Sequence, residues 1–119
     1  MKKESGQALV EMALVLPILF LLIFAVVEMA VIGFSYITIQ NAVSAGANMA
    51  VIGGTDAQVT TAIKQASPGL NTSLMTIQIT RPAPNVTINI SYPVDLILPV
   101  VPGLSNPLII LAALTEVLP

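Results

Sequence analysis

From Met12 to Val27 the chain carries no charged residue, and after Glu28 none appears until Asp56. A bilayer core of ~30 Å takes about 20 mostly apolar residues as a helix. The stretch from Gly6 to about Ala50 is long enough to span and then continue beyond the membrane. As a helix from Gln7 to Ala50 it would be roughly 65 Å long. Two acids interrupt it, Glu11 near its start and Glu28 further in. An acidic side chain at the bilayer centre costs on the order of 3 kcal/mol on insertion scales, so it marks a function and a partner.

The rest of the composition narrows the classes of function. The chain has 119 residues, of which 8% are charged and 55% hydrophobic. That is room for one small domain beside a membrane segment. A net charge of −2 supplies no electrostatic footprint for nucleic acid. There is no Cys, His or Trp, which removes disulfides, thiol nucleophiles, thiolate and imidazole metal sites and His-dependent triads. Asp56, Asp95 and Glu116 are the acids beyond the long apolar stretch, and no pair of them has motif spacing for acid–base work. No catalytic, metal or cofactor site is expected.

Lys2 and Lys3 precede the apolar run, which favours an N-terminus in the cytoplasm and a C-terminus outside. An ordinary secretory signal begins the same way, but its apolar core is about 7–15 residues and ends at an A-x-A-like site. The run here is longer, Glu11 sits at its front edge, and Ala42, Ala45 and Ala47 lie too late to serve as that site.

Gly6, then Val10-Glu11, then Ala13-Leu14-Val15-Leu16-Pro17, the apolar block and Glu28 together resemble the N-terminus of the TadE-like pseudopilins. These are minor pilins of tight-adherence (Tad) pili, within the type IV pilin superfamily. The specific resemblance covers roughly the first third of the chain, and a weaker likeness in pattern continues through Tyr92-Pro93 to the final apolar segment. It implies cleavage between Gly6 and Gln7 by a prepilin peptidase, a membrane aspartyl protease acting on the cytoplasmic side. Residues 1–6 would then be a leader, 7–52 the long helix with its transmembrane segment, and 53–119 an extracytoplasmic head. Members of the family often carry an Arg near the Ala-Gly-Ala stretch. Asn48 stands in that neighbourhood here, so no role of that Arg is carried over.

On this resemblance the free amine of Gln7 lies near Glu11, in the same or a neighbouring subunit. Amine and carboxylate would neutralise each other in lipid, offsetting the cost of burying either. The plainer alternative is that Glu11 snorkels to the headgroups from near the helix end. Glu28 either sits at the outer interface or pairs with a partner subunit, and both readings stay open. Pro17 removes the helical partner of the Ala13 carbonyl and permits a kink, which would be either a weak point for leaving the bilayer or of no consequence. Ala42, Gly46 and Ala50 fall four apart and line one face, where small residues allow another backbone to approach. That face packs either under the chain's own sheet or against another pilin.

Gly53-Gly54 ends the long helix and gives a hinge. Thr55-Asp56-Ala57-Gln58 has the form of a capping box, and Val59, Ala62, Ile63 and Ala66 make the apolar stripe of a short second helix. Ser67-Pro68-Gly69 stops it, and Lys64 is left to solvent. Met75, Ile77 and Ile79 alternate with Thr76, Gln78 and Thr80, and Val86, Ile88, Ile90 and Tyr92 alternate with Thr87, Asn89 and Ser91. This predicts two half-buried strands, joined by Arg81 to Asn85 as a hairpin. Tyr92-Pro93 through Pro107 reads as a proline-interrupted loop, whose prolines argue against a second transmembrane helix. Leu108 to about Val117 reads as a third strand, with a helix left open on periodicity.

The expected fold is therefore α+β. A long N-terminal transmembrane helix carries a short second helix and a small three-stranded antiparallel sheet, packed on the outer half of the long helix because so small a sheet needs that support. The expected function is structural: a membrane-anchored minor pilin of a Tad/Flp-type assembly system. Its partners would be membrane lipid, the prepilin peptidase, other pilins and the assembly platform, with no nucleic acid. The alternative is an uncleaved single-pass accessory protein of a secretion system, which would have no use for the Gly6/Glu11 pair.

Overall fold

The computed structural model describes residues 2–96 and 107–118. One helix, α1 (Lys2–Val51), runs for 50 residues and accounts for most of the 80 Å length of the molecule. It is followed by α2 (Asp56–Gln65), a short 3₁₀ turn (Thr72–Leu74), and strands β1 (Thr76–Thr80), β2 (Asn85–Val94) and β3 (Leu108–Val117). The strands form one antiparallel sheet in the order β1-β2-β3. The α+β architecture expected from the sequence is the one observed.

The two halves of α1 differ in their surroundings. From Lys3 to Phe24 every residue is exposed. From Glu28 onward a stripe of Glu28, Ser35, Thr38, Ile39, Ala42, Val43, Gly46, Ala47 and Ala50 is buried, at the spacing of three and four that defines one helix face. The head covers that face. Its sheet turns Val86, Ile88, Ile90, Tyr92 and Val94 of β2, with Ile110 and Ala112 of β3, inward against Ile39, Ala42, Val43 and Ala47 of α1 and Val59 and Ile63 of α2. Each fully buried Ile or Val contributes about 1.5–3 kcal/mol by its removal from water.

The small-residue face is used within the chain. A Cβ placed on Gly46 would lie 2.7 Å from Ile63 Cγ1 and 3.4 Å from Ile88 Cδ1. Ala42, Gly46 and Ala50 thus let α2 and β2 approach the helix backbone closely.

α1 ends as the glycines require. Gly53 adopts φ +90°, its N–H donates to the Ala50 carbonyl at 3.1 Å, and the Gly54 N–H donates to the Met49 carbonyl at 2.9 Å, which is a Schellman pair. α2 then starts with the capping box: the Thr55 N–H donates to Gln58 Oε1 at 2.9 Å and the Gln58 N–H to Thr55 Oγ1 at 3.3 Å. In the stripe of α2, Val59 and Ile63 are buried, Ala62 and Ala66 half-buried, and Lys64 is exposed.

One sequence expectation changes. β2 does not stop at Tyr92 but continues through Pro93 to Val94, pairing Pro93 with Ile109 and Val94 with Leu108. β1 reaches only Ser91 on the other side, so beyond it β2 has one neighbour and tolerates a residue without an amide hydrogen. Residues 108–117, expected as a third strand with a helix left open, do form that strand, because ten residues of β2 offer it a complete antiparallel partner. Of the proline-interrupted loop expected after Tyr92, residues 97–106 lie outside the described part.

Candidate functional site

The residues singled out from the sequence lie along α1. Gly6 and Gln7 are in its first turns and exposed, and a Cβ on Gly6 would meet nothing within 4 Å. The helix runs through the expected leader boundary without a break. A glycine inside a helix costs about 1 kcal/mol relative to alanine, which favours fraying of these turns. Gln7 and Glu11 are four residues apart, hence neighbours on one face. Glu11 is exposed and makes no ion pair with a described residue.

Pro17 lies within α1, which continues on both sides of it. It is exposed, and it leaves the Ala13 carbonyl without its usual intrahelical donor. Glu28 is seventeen residues beyond Glu11, roughly 25 Å along the axis. Unlike Glu11 it is buried, 6% exposed, on the face of α1 that carries the head. The five residues are therefore not gathered into one cluster. They are spread along an apolar rod, with Gly6, Gln7, Glu11 and Pro17 on the bare arm and Glu28 where the arm meets the head.

The head has polar ties that sequence reasoning did not reach. Arg81, after β1, donates from Nε to Asp56 Oδ1 at 2.8 Å and from Nη2 to the Gly54 carbonyl at 3.0 Å. It fastens the β1–β2 hairpin to the corner between α1 and α2. The exposed ion pair itself is worth well under 1 kcal/mol or so; the bond to the Gly54 carbonyl supplies a partner for backbone at the corner. The Tyr92 hydroxyl accepts from the Asn71 N–H at 3.1 Å and ties the turn before β1 to the sheet. No local pattern announces either contact, because the partners are 25 and 21 residues apart.

The acids of the head are dispersed. Asp56 is held by Arg81. Glu116 pairs in register with Val86 near one end of β2, while Asp95 follows Val94 at the other, a separation of roughly 30 Å at strand rise. Among the described residues no cluster of three or more Asp, Glu, His or Cys is placed to hold a metal ion.

A bare apolar arm joined to a packed head defines a class: an α+β protein with one helix long and apolar enough to cross a membrane among the described residues. Residues 6–48 match the model of the TadE-like protein family, which supports a TadE-like protein. The match begins at Gly6, and it takes in the arm from Gly6 onward and most of the packed half of α1. No curated protein and no solved structure gives a match. The match covers 43 of the 119 residues, and the one long apolar helix fits a single-pass membrane protein.

Proposed function

We propose that this chain is a membrane-anchored minor pilin, or pseudopilin, of a Tad/Flp-type pilus assembly system, cut after Gly6 by a prepilin peptidase and assembled through the apolar half of α1. The observation that carries the reading is the family match starting at Gly6 and running along an arm whose every side chain is exposed. Among the described residues nothing covers this apolar rod, so lipid and other apolar helices are the partners that suit it. After cleavage the new amine at Gln7 lies one turn before Glu11. Helical side chains lean toward the N-terminus, so Glu11 can reach its own amine as well as a neighbour's. Other pilins and the assembly platform are the partners this reading requires.

Mass spectrometry of the N-terminal peptide from native membranes tests the processing step. A mature chain beginning at Gln7 is the expected result. A chain keeping its first residues in cells with an active prepilin peptidase would sink the pseudopilin reading, as would a cut after Ala47.

Topology gives a second test. Lys2 and Lys3 hold the N-terminus inside by the positive-inside rule, leaving the head outside. A reporter fused after Pro119 should be active only if it is of the type that matures outside the cytoplasm. Activity of a cytoplasm-only reporter at that position would overturn the orientation.

A further inference from the structure

The head meets α1 at the level where the membrane should end. Counting about 20 residues for the hydrocarbon core from Met12, just past Glu11, brings the helix to Val31. Two grooves flank α1 at this level. One is lined by Val27, Val31 and Phe34 with Leu70, Leu74 and Val94, the other by Met29, Ile32 and Tyr36 with Leu108, Ile109 and Leu111. The rims of both are apolar and open: Phe34 is 53% exposed, Leu74 51%, Ile109 46% and Leu111 70%. They continue the apolar surface of the arm without a charged interruption on α1, since Glu28 is buried there.

The charges of the head lie elsewhere. Asp56 and Arg81 are held together at the α1–α2 corner, and Glu116 is at the far end of the sheet. Lys64 is on the exposed side of α2, next to Ile63, which packs over Gly46. Asp95 is the one acid lining these grooves, and it is exposed, free to face headgroups. An aromatic ring, Tyr36, stands half-exposed beside the second groove, where interfacial aromatics collect.

We propose that this end of the head is seated in the outer interfacial layer of the bilayer, with Phe34, Leu74, Ile109 and Leu111 in contact with lipid, so that the head does not stand clear of the membrane on its helix. The occupant of both grooves is a lipid surface, because their rims are continuous with the surface of α1 that spans. The inference rests on α1 being a transmembrane helix, and the test separates the two.

The chain has no Trp, so single tryptophans report without background. Leu74→Trp, Ile109→Trp, Leu19→Trp on the arm and Thr61→Trp on the exposed side of α2 are made in the full chain and reconstituted in phosphatidylcholine vesicles. Leu19→Trp should be quenched by lipids brominated deep in the acyl chains. Leu74→Trp and Ile109→Trp should be blue-shifted and lose roughly half of their emission to lipids brominated near the headgroup end, as groups buried about 5–10 Å into that boundary would. Thr61→Trp should be quenched by neither. Quenching of Leu19→Trp without quenching of Leu74→Trp or Ile109→Trp overturns the proposal and leaves the span intact. Blue-shifted but unquenched emission at those two sites also overturns it, by putting a second protein chain there. An unquenched Leu19→Trp overturns the span, and the proposal with it.

Discussion

Glu11→Gln is expected to be cut after Gly6 and inserted like the wild type, yet to be missing from sheared pili. The substitution makes the helix more apolar and leaves Gly6 untouched, so targeting has no reason to fail. Insertion could improve, because a charge costing on the order of 3 kcal/mol at the bilayer centre is gone. Assembly suffers for a different reason. On the proposed processing, the amine at Gln7 loses its counter-charge, and leaving one partner of a buried pair alone costs roughly 3–5 kcal/mol. At 1.4 kcal/mol per decade this is a fall of about two or more orders of magnitude in incorporation. The exposed position of Glu11 without an ion pair to a described residue fits a carboxylate kept for a group outside the isolated, uncut chain. Co-purification with sheared pili or with partner pilins, beside a blot for processing, gives the measurement. Normal processing with normal incorporation would reduce Glu11 to a residue that snorkels to the headgroups. Loss of processing would place it in recognition by the peptidase instead.

Gly46→Val is expected to melt the head. The first added carbon would sit 2.7 Å from Ile63 Cγ1 and 2.8 Å from Ile63 Cδ1. Ile63 and Ile88 are both fully buried, so neither has empty space to swing into. Overpacking of this kind costs about 1–3 kcal/mol for a small addition, and the two further methyl groups of valine put the change at the upper end or beyond. Removing a helical glycine returns about 0.5–1 kcal/mol at most. A net loss of ~3 kcal/mol lowers the midpoint of a domain of this size by about 10–20 °C. Thermal unfolding of the monomer in detergent, followed by the sheet signal, measures it. Gly33→Val is the control, since a Cβ there meets nothing within 4 Å, and its midpoint should stay near that of the wild type. An unchanged midpoint for Gly46→Val would refute the close approach of α2 and β2 to the helix. Because the assay is on the monomer, it separates packing within the chain from any contact with another pilin through the same face.

The periodicities of single segments determined much of this protein. The uncharged run from Met12 to Val27 requires a helix in an apolar environment. The Thr55/Gln58 box, the paired glycines at 53 and 54 and the period-two alternation of β1 and β2 each point to their local structure, because a cap, a left-handed residue and a pleat are specified within a few residues. Gly6, Glu11 and Pro17 stand out in the same way, as residues that are out of place or costly in an apolar helix, while the roles proposed for them rest on the resemblance.

Tertiary structure decided the rest. The long helix is apolar on all sides, so its sequence could not say which stripe the head would cover; the small residues at 42, 46 and 50 left two partners open, and the packing of Ile63 and Ile88 over Gly46 chose between them. Leu108 to Val117 became a strand because β2 presents a matching edge, and β2 ran on through Pro93 because β1 ends opposite Ser91. Arg81 found Asp56 and the Gly54 carbonyl across 25 and 27 residues of chain. Local geometry is encoded in neighbouring residues, whereas the choice of face, edge and long-range partner depends on which surfaces the folded chain brings together, and no short window of sequence contains both of them.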